Sequence, residues 1–376
     1  MRFPEFNEEW KKSVISSIAE VVGGGTPDTN IQEFWEGNII WYTPSEIGKE
    51  KYCYRSLRTI SENGLKNSSA KMLPKGAILL SSRATIGEAS ITINECSTNQ
   101  GFQSLIAKDN INNEYLYYLI LTQKHNLYRK ACGSTFLEIS ASEIRHLKVH
   151  FPSKEEQTKI ATFLSLIDER IETQSKIIED LKTLINGVRS YIFTHQNNCS
   201  KHSLGDFLTE YSERNREKQL PSVAVGKYGI RKREEIYSKE LSNDYSNNKI
   251  IYKDTLTIGM GSSQIDIGIL LDDVEYCVSP AYTTYKIHDI NSVYLQEYLK
   301  LINPILSFKY MITSVRQGKS VNKEELMQHK IFVCSSIEQK AIEQKFSAFY
   351  KKLEIEQNLL NALVSQKKYL LQQMFI

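Results

Sequence analysis

The sequence SKEEQTKI, residues 153–160, has a counterpart in SSIEQKAI, residues 335–342, and this repeat determines the fold. The two segments align with Glu156 opposite Glu338, without a gap. An internal offset that spans almost half of the 376-residue chain is typical of a duplicated architecture. The repeat therefore predicts two copies of one structural module.

A long apolar pattern follows each copy, with steps that alternate between four and three residues. In the first copy this seam is Ile160, Leu164, Ile167, Ile171, Gln174, Ile178, Leu181, Ile185, Val188 and Ile192. In the second it is Ile342, Phe346, Phe349, Leu353, Glu356, Leu360, Leu363, Lys367, Leu370 and Met374. This spacing is the a and d pattern of a coiled coil, and the offset between the copies is a whole number of heptads, which keeps the two seams in phase. We expect that the two helices pack against each other and bury their apolar seams. The alternative is that each helix packs on a separate hydrophobic core.

Matching segments also precede each helix. KGAILL at residues 75–80 resembles KDTLTI at residues 253–258. Short β-rich runs bounded by Gly, Asn and Ser turns lie at residues 39–43, 77–81, 90–93, 250–252 and 255–258. The sequence thus predicts an α+β fold with two mixed, β-containing heads and two long helices. We expect the first head at residues 1–152, the first helix at 153–196, the second head at 197–334 and the second helix at 335–376.

Composition excludes several classes of protein. With 41% hydrophobic and 24% charged residues, the chain has an ordinary globular composition. No segment approaches the ~20 apolar residues of a membrane span, and the N-terminus lacks the apolar core of a signal peptide. Six scattered cysteines without a C-x-x-C pair predict unpaired thiols in the cytoplasm. Because the net charge is only +3, local basic patches would have to bind any acidic partner.

Two similar heads on a rigid rod suit a partner that repeats at a fixed spacing, and duplex DNA repeats every ~34 Å. Candidate contacts are polar or basic side chains on equivalent loops of the two copies and in a basic triplet at residues 231–233. Guanidinium groups read guanine, amides read adenine, and hydroxyls bind bases or phosphates. The candidate DNA-binding residues are Arg83, Thr85, Ser134, Thr135, Arg231, Lys232, Arg233, Ser262, Ser263, Gln264, Lys319, Ser320 and Asn322. The alternative for each loop is a solvated turn.

Motifs for catalysis are absent from the sequence. It contains no base-methylation motif of the [DNS]-P-P-[YF] type, no glycine-rich dinucleotide loop and no Walker A segment. The seven histidines are dispersed and form no HExxH motif. We therefore expect neither catalytic residues nor metal ligands in this chain.

Several segments resemble the specificity subunit of type I restriction-modification systems. In the first copy these are RFPEF at residues 2–6, GGTP at 24–27, FWEGNIIWYTP at 34–44 and the helix entry P-x-x-x-E-Q-x-x-I at 152–160. In the second copy, Leu204-Gly205-Asp206 and VSPAY at residues 278–282 are similar as well. The sequence departs from the family's pattern at Ser16-Ser17, where Leu-Gly is common, and at Cys334, where the second helix entry lacks its proline.

The resemblance implies two target recognition domains, each reading one half of an asymmetric bipartite DNA site. It also implies that the two helices pair antiparallel and set the spacing between the halves. Such a subunit is non-catalytic and joins double-stranded DNA to two methyltransferase subunits and two restriction/translocase subunits. This chain would bind no cofactor, while the partner subunits would use S-adenosylmethionine, ATP and Mg.

Exposed helix positions such as Glu169, Arg170, Lys176 and Lys182 are candidate methyltransferase contacts under this interpretation. Two alternatives stay open at this point. The chain is a stand-alone DNA-processing enzyme in the first, and a coiled-coil adaptor that binds only proteins in the second.

Overall fold

The structure, a computed structural model, describes residues 2–133, 137–196, 199–216, 219–226, 229–233, 244–314 and 318–375. The chain divides into two compact units. Unit 1 comprises Met1–Lys176 with Asn358–Ile376, and unit 2 comprises Ile177–Gln357. Each unit therefore contains one head and a segment of each long helix.

Unit 1 contains short strands and helices followed by a long helix. Its strands are β1 (Lys11–Val14), β2 (Ala19–Gly23), β3 (Trp35–Tyr42), β4 (Tyr52–Cys53), β5 (Arg58–Ile60), β6 (Ile78–Leu80), β7 (Ala89–Thr92), β8 (Cys96–Thr98), β9 (Gln103–Ala107) and β10 (Lys148–Phe151). Its helices are α1 (Ile15–Ile18), α2 (Glu62–Lys66), α3 (Asn113–Thr122), α4 (Lys124–Lys130), α5 (Ala141–Arg145) and the first part of the long α6 (Lys154–Thr194).

A five-stranded sheet in the order β2-β9-β6-β7-β4 forms the centre of unit 1. The central strand β6 is apolar throughout because both faces of the sheet are covered. Ile78 and Leu80 pack in the cluster that contains α3, whereas Leu79 packs in a second cluster with Tyr42 and Phe102. A three-stranded sheet, β5-β3-β8, and the β1-β10 pair complete the strand pairing in this unit.

Unit 2 repeats this plan. Its strands are β11 (Ser200–Ser203), β12 (Leu208–Tyr211), β13 (Val223–Gly226), β14 (Gly229–Lys232), β15 (Lys249–Ile251), β16 (Thr255–Met260), β17 (Ile265–Leu270), β18 (Tyr276–Val278), β19 (Thr283–Ile287), β20 (Met311–Ser314), β21 (Gly318–Val321) and β22 (Lys330–Val333). Its helices are the last part of α6, α7 (Ser292–Tyr310), α8 (Lys323–Met327) and the first part of the long α9 (Ser336–Met374).

The central sheet of unit 2 is antiparallel and has the strand order β12-β19-β16-β17. This order matches β2-β9-β6-β7 of unit 1, and the β11-β22 pair matches β1-β10. Ile258 of β16 and Ile267 of β17 pack with α7, as Ile78 of β6 packs with α3. The predicted repeat is therefore confirmed in the strand order, and the fold is α+β as expected.

The long helices bury the predicted heptad seam. Every apolar seam position of α6 and α9 is buried or half-buried, and the polar seam positions Gln174 and Glu356 are buried too. The predicted exposed flanks of the seam are exposed, namely Glu169, Arg170, Lys176 and Lys182. The spacing of the apolar residues therefore located the buried face of both helices correctly.

The two helices pair antiparallel. Within unit 1, Ile160 near the start of α6 shares a hydrophobic cluster with Met374 at the end of α9. Within unit 2, Ile185 near the end of α6 shares a cluster with Phe346 near the start of α9. Since the start of one helix meets the end of the other, they form an antiparallel coiled coil.

One glutamine in each repeat holds the head to its long helix. The side-chain oxygen of Gln157 on α6 accepts the backbone N–H of Asn112 at 3.0 Å, and that of Gln339 on α9 accepts the backbone N–H of Asn291 at 2.8 Å. Both asparagines cap the head helix that follows them, since their side chains accept from the backbone N–H three residues on. The repeated glutamine therefore connects the cap of α3 or α7 to a long helix.

The prediction that all six cysteines are unpaired thiols is wrong. Cys199 and Cys334 form a disulfide within unit 2. They are brought together because β11 pairs with β22 from Ser200 opposite Val333, so the residues just outside this pair become neighbours. A contact between positions 135 residues apart depends on tertiary structure and has no local motif. Cys53, Cys96, Cys132 and Cys277 are free.

Candidate nucleic-acid interface

The loop Ser81–Gly87 connects β6 to β7 at one edge of unit 1. Its first two serines are buried and hold its shape, because the Ser81 hydroxyl donates to the carbonyl oxygen of Arg83 at 2.8 Å and the backbone N–H of Ser82 donates to the carbonyl of Gly101. Thr85 is exposed, and its hydroxyl donates to that of Ser81 at 3.1 Å. The buried hydroxyl of Ser81 thus bonds both the backbone of Arg83 and the side chain of Thr85, the two candidates in this loop.

Arg83 is held by an acidic partner. Its Nε lies 2.9 Å from Oε1 of Glu138, and the guanidinium-bearing side chain is 42% exposed. Glu138 belongs to a short segment that follows α4 and also pairs with Cys132. The guanidinium can bind a base or a phosphate only if this ion pair breaks, or if Arg83 bonds Glu138 and the DNA at the same time. The candidates Ser134 and Thr135 lie outside the described residues.

The equivalent loop in unit 2 is the tip of the β16-β17 hairpin. Ser262 and Ser263 are exposed there, and Gln264 is half-buried. Lys319, at the β20-β21 hairpin, donates from Nζ to the carbonyl oxygen of Ser262 at 2.7 Å. The structure therefore brings Lys319 to Ser262 of the other loop, and Ser320, the next residue, is exposed.

Two buried side chains on α7 fix the position of this hairpin tip. The Ser307 hydroxyl accepts the backbone N–H of Ile265 at 2.9 Å, and the Asn303 amide donates to the carbonyl oxygen of Ile265 at 3.0 Å. The Ser307 hydroxyl also donates to the side-chain oxygen of Asn303. Because both groups are buried and satisfied, the tip has a defined position on the helix.

The two units place their candidate loops in the same way. In each, the loop between the two central strands contacts the segment that follows the head helix, through Arg83 and Glu138 in unit 1 and through Ser262 and Lys319 in unit 2. The cation comes from the central-strand loop in unit 1 and from the following segment in unit 2. We call these two groups of residues the loop clusters.

The remaining candidates lie on other elements of unit 2. Arg231 and Lys232 are on β14 and line a cavity of about 440 Å³ together with Gln296 of α7 and Tyr350 of α9, and Arg233 directly follows that strand. Asn322 caps α8, because its side-chain oxygen accepts the backbone N–H of Glu325 at 3.2 Å. A role of these four residues in DNA binding stays a prediction.

Sequence reasoning missed a half-buried acid behind the second loop cluster. Burial raises the pKa of Asp266 on β17, although the hydroxyl of Tyr282 donates to it at 3.3 Å. The ring of Tyr282 packs against Gly259, where an added Cβ would come within 2.1 Å of the ring. Tyr282 ends the VSPAY segment, so that motif was the available signal for this support.

The described residues contain no group of three or more His, Cys, Asp or Glu side chains that could hold a metal ion. In the same part of the chain, no helix is long and apolar enough to cross a membrane. At the loop clusters the heads carry cations, hydroxyls and one amide. These groups can donate hydrogen bonds to bases and phosphates.

The structure contains two similar heads on an antiparallel helix pair, and each head carries a polar loop cluster. This arrangement is typical of proteins that contact a partner molecule in the same way at two places. The family model described as type I restriction modification DNA specificity domain matches residues 7–183 and again residues 200–365. The chain belongs to this family. The resemblance noted in the sequence is thereby confirmed over both copies.

Curated relatives match part of the chain. It is 44% identical over 181 residues to the type I restriction enzyme MjaIX specificity subunit of Methanocaldococcus jannaschii, which covers 47% of this chain and 42% of that protein. It is 29% identical over 175 residues to the EcoR124I/EcoR124II specificity subunit of Escherichia coli, covering 45% and 43%. The matched stretch thus spans less than half the length of these relatives.

Solved structures share the fold over the full length. The S subunit of a type I restriction-modification system from M. genitalium has a TM-score of 0.56 at 18% identity and covers 100% of this chain and 99% of that one. A chain from a structural study of complex assembly in the type I system has a TM-score of 0.61 at 13% identity, covering 98% of each. At these identities the likeness is one of fold.

Proposed function

We propose that this chain is the DNA sequence-specificity subunit of a type I restriction-modification complex. Each head reads one half of an asymmetric bipartite site in double-stranded DNA. The single observation that carries the proposal is the duplicated loop cluster, which places cations and hydroxyls at the same point of two equivalent heads. Two equivalent heads would bind two half-sites, which is the arrangement of a bipartite DNA site.

The paired helices set the spacing between the two half-sites in this proposal. Each long helix has about forty residues, which corresponds to about 60 Å because a helix rises ~1.5 Å per residue. The exposed flanks, which include Glu169, Arg170, Lys176 and Lys182, are the proposed docking surface for two methyltransferase subunits. Two restriction/translocase subunits complete the assembly, which acts in the cytoplasm.

The chain itself is non-catalytic in this account. S-adenosylmethionine, ATP and Mg are used by the partner subunits, and residues 1–152 and 197–334 act as the two target recognition domains. What supports this is the absence of catalytic motifs from the sequence, together with membership of a family whose model is a DNA specificity domain.

A footprint of the chain assembled with its methyltransferase subunits tests the proposal. Two protected half-sites separated by an unprotected gap are expected, with an affinity that falls as salt rises because phosphate contacts release counterions. A single continuous footprint would contradict it. No sequence-dependent retardation over the whole salt series would favour a protein-only adaptor, and cleavage or modification by the purified chain alone would favour an enzyme.

A further inference from the structure

Each head contacts a long helix through a largely buried pair of a tyrosine and a carboxylate. In one unit the head helix supplies the tyrosine, and in the other unit it supplies the carboxylate. In unit 1 the head helix α3 supplies Tyr118, whose hydroxyl donates to Oδ2 of Asp168 on α6 at 2.5 Å. In unit 2 the head helix α7 supplies Glu297, and Oε1 of this residue accepts the hydroxyl of Tyr350 on α9 at 2.8 Å. We call these four residues the exchanged pairs.

The exchanged pairs occupy equivalent positions of the repeat. Tyr118 and Glu297 are equivalent on the head helices, because each lies six positions after the asparagine that caps its helix, Asn112 or Asn291. Asp168 and Tyr350 are equivalent on the long helices, because the alignment that places Glu156 opposite Glu338 also places these two residues opposite each other. The head helix and the long helix have therefore exchanged tyrosine and carboxylate between the two copies.

A cation from the other long helix accompanies each carboxylate. In unit 1, Nζ of Lys367 on α9 lies 2.6 Å from Oδ1 of Asp168. In unit 2, Nε of Arg189 on α6 donates to Oε2 of Glu297 at 2.8 Å. Lys300 adds a second cation there, since its Nζ donates to Oε1 of Glu297 at 2.8 Å. Both carboxylates are thus paired, as charges removed from water must be.

We propose that the exchanged pairs match each head to its own segment of the helix pair. If the head of unit 1 carried glutamate at position 118, this glutamate would face Asp168, and two carboxylates would lie side by side. If the head of unit 2 carried tyrosine at position 297, this tyrosine would face Tyr350, and Arg189 and Lys300 would lose their carboxylate partner. Either mismatch is unfavourable because one partner of a buried ion pair would be lost or repelled. This inference is independent of DNA recognition, since it concerns only the assembly of each unit.

Reciprocal exchange in the full-length chain tests the inference. Tyr118→Glu alone and Asp168→Tyr alone each create a mismatch in unit 1, and each is expected to lower the thermal midpoint by roughly 5–10 °C. The double variant Y118E/D168Y rebuilds the arrangement of unit 2 and is expected to recover at least half of the summed loss. Hydrogen exchange in α3 gives the local readout: faster in the single variants and slowed again in the double.

The second unit supplies an independent copy of the experiment, with Glu297→Tyr, Tyr350→Asp and the double variant E297Y/Y350D. Tyr128→Glu on α4 is the matched control, because Tyr128 is 58% exposed and should tolerate the same change. Where an exchange variant aggregates, the milder Tyr118→Phe and Asp168→Asn are combined instead, and their effects should not add. Additive losses in these cycles, with no recovery in either double variant, would overturn the proposal.

Discussion

The amide oxygen of Gln157 lies 3.0 Å from the backbone nitrogen of Asn112, so the start of a long helix holds the residue that caps the head helix α3. The amide nitrogen of Gln157 donates in turn to the carbonyl oxygen of Pro152 at 3.0 Å. Gln339 makes both bonds in unit 2, to Asn291 and to Cys334. The glutamine of the E-Q pair that reveals the repeat in the sequence therefore joins each head helix to a long helix.

Replacing Gln157 with alanine is expected to destabilise unit 1 by about 1 kcal/mol, because the partly buried backbone N–H of Asn112 loses its acceptor. Thermal unfolding of the full-length chain should show this loss, and hydrogen exchange should place it in α3. Thr162→Ala, at an exposed position on the same helix, is the control and should change the midpoint little. Equal effects of the two substitutions would contradict the assigned role.

Arg83 is expected to contribute base recognition by the first head. Arg83→Ala in the assembled methyltransferase should weaken binding of the specific site by about 1–3 kcal/mol and relax one half-site only. Glu138→Gln should have the opposite effect on affinity, because it removes the carboxylate that competes for the guanidinium. Methylation rates on a panel of single-base variants measure both effects. Equal losses at the two half-sites would argue against this assignment.

Lys319 is expected to act as a phosphate contact of the second head. Lys319→Ala should weaken binding to all sequences alike and reduce the slope of log affinity against log salt by about 1. Lys286→Ala provides the matched control, since Lys286 is an exposed lysine on β19 of the same unit. A change in base preference without a change in salt slope would show that Lys319 reads bases instead.

Asp266 is expected to make stability depend on pH. Burial raises its pKa above the ordinary value of 3.8, so the folded state binds a proton more tightly than the unfolded state does. The cost of placing a charge on this half-buried carboxyl is therefore present at neutral pH and disappears as pH falls through the raised pKa. Asp266→Asn should raise the thermal midpoint at pH 7 and lose this advantage in acid, whereas Asp272→Asn, at an exposed position, should show neither effect.

The sequence was sufficient for the features that repeat with a fixed period. The seam from Ile160 to Ile192 and its copy from Ile342 to Met374 located the buried helix faces, because heptad spacing is a local property of one helix. Matching runs such as residues 75–80 and 253–258 located central strands of both sheets. Periodicity and self-similarity require no knowledge of distant contacts.

Features that depend on tertiary contacts could not be predicted from the sequence. Cys199 and Cys334 become neighbours only through the β11-β22 pair. The sequence also could not show that Arg231 of β14 lines a cavity beside α7 and α9, or that the side chain of Asn322 caps α8. Residue type alone does not reveal such placements.

The central claim is that two independent heads are held by one helix pair, and exchange of one head tests it most directly. Residues 1–152 are replaced by the corresponding head of another family member that carries a tyrosine at the position of Tyr118, and methylated sites are mapped genome-wide. The account predicts that one half-site changes while the other half-site and the spacing are retained. Simultaneous change of both halves, or of the spacing, would contradict it.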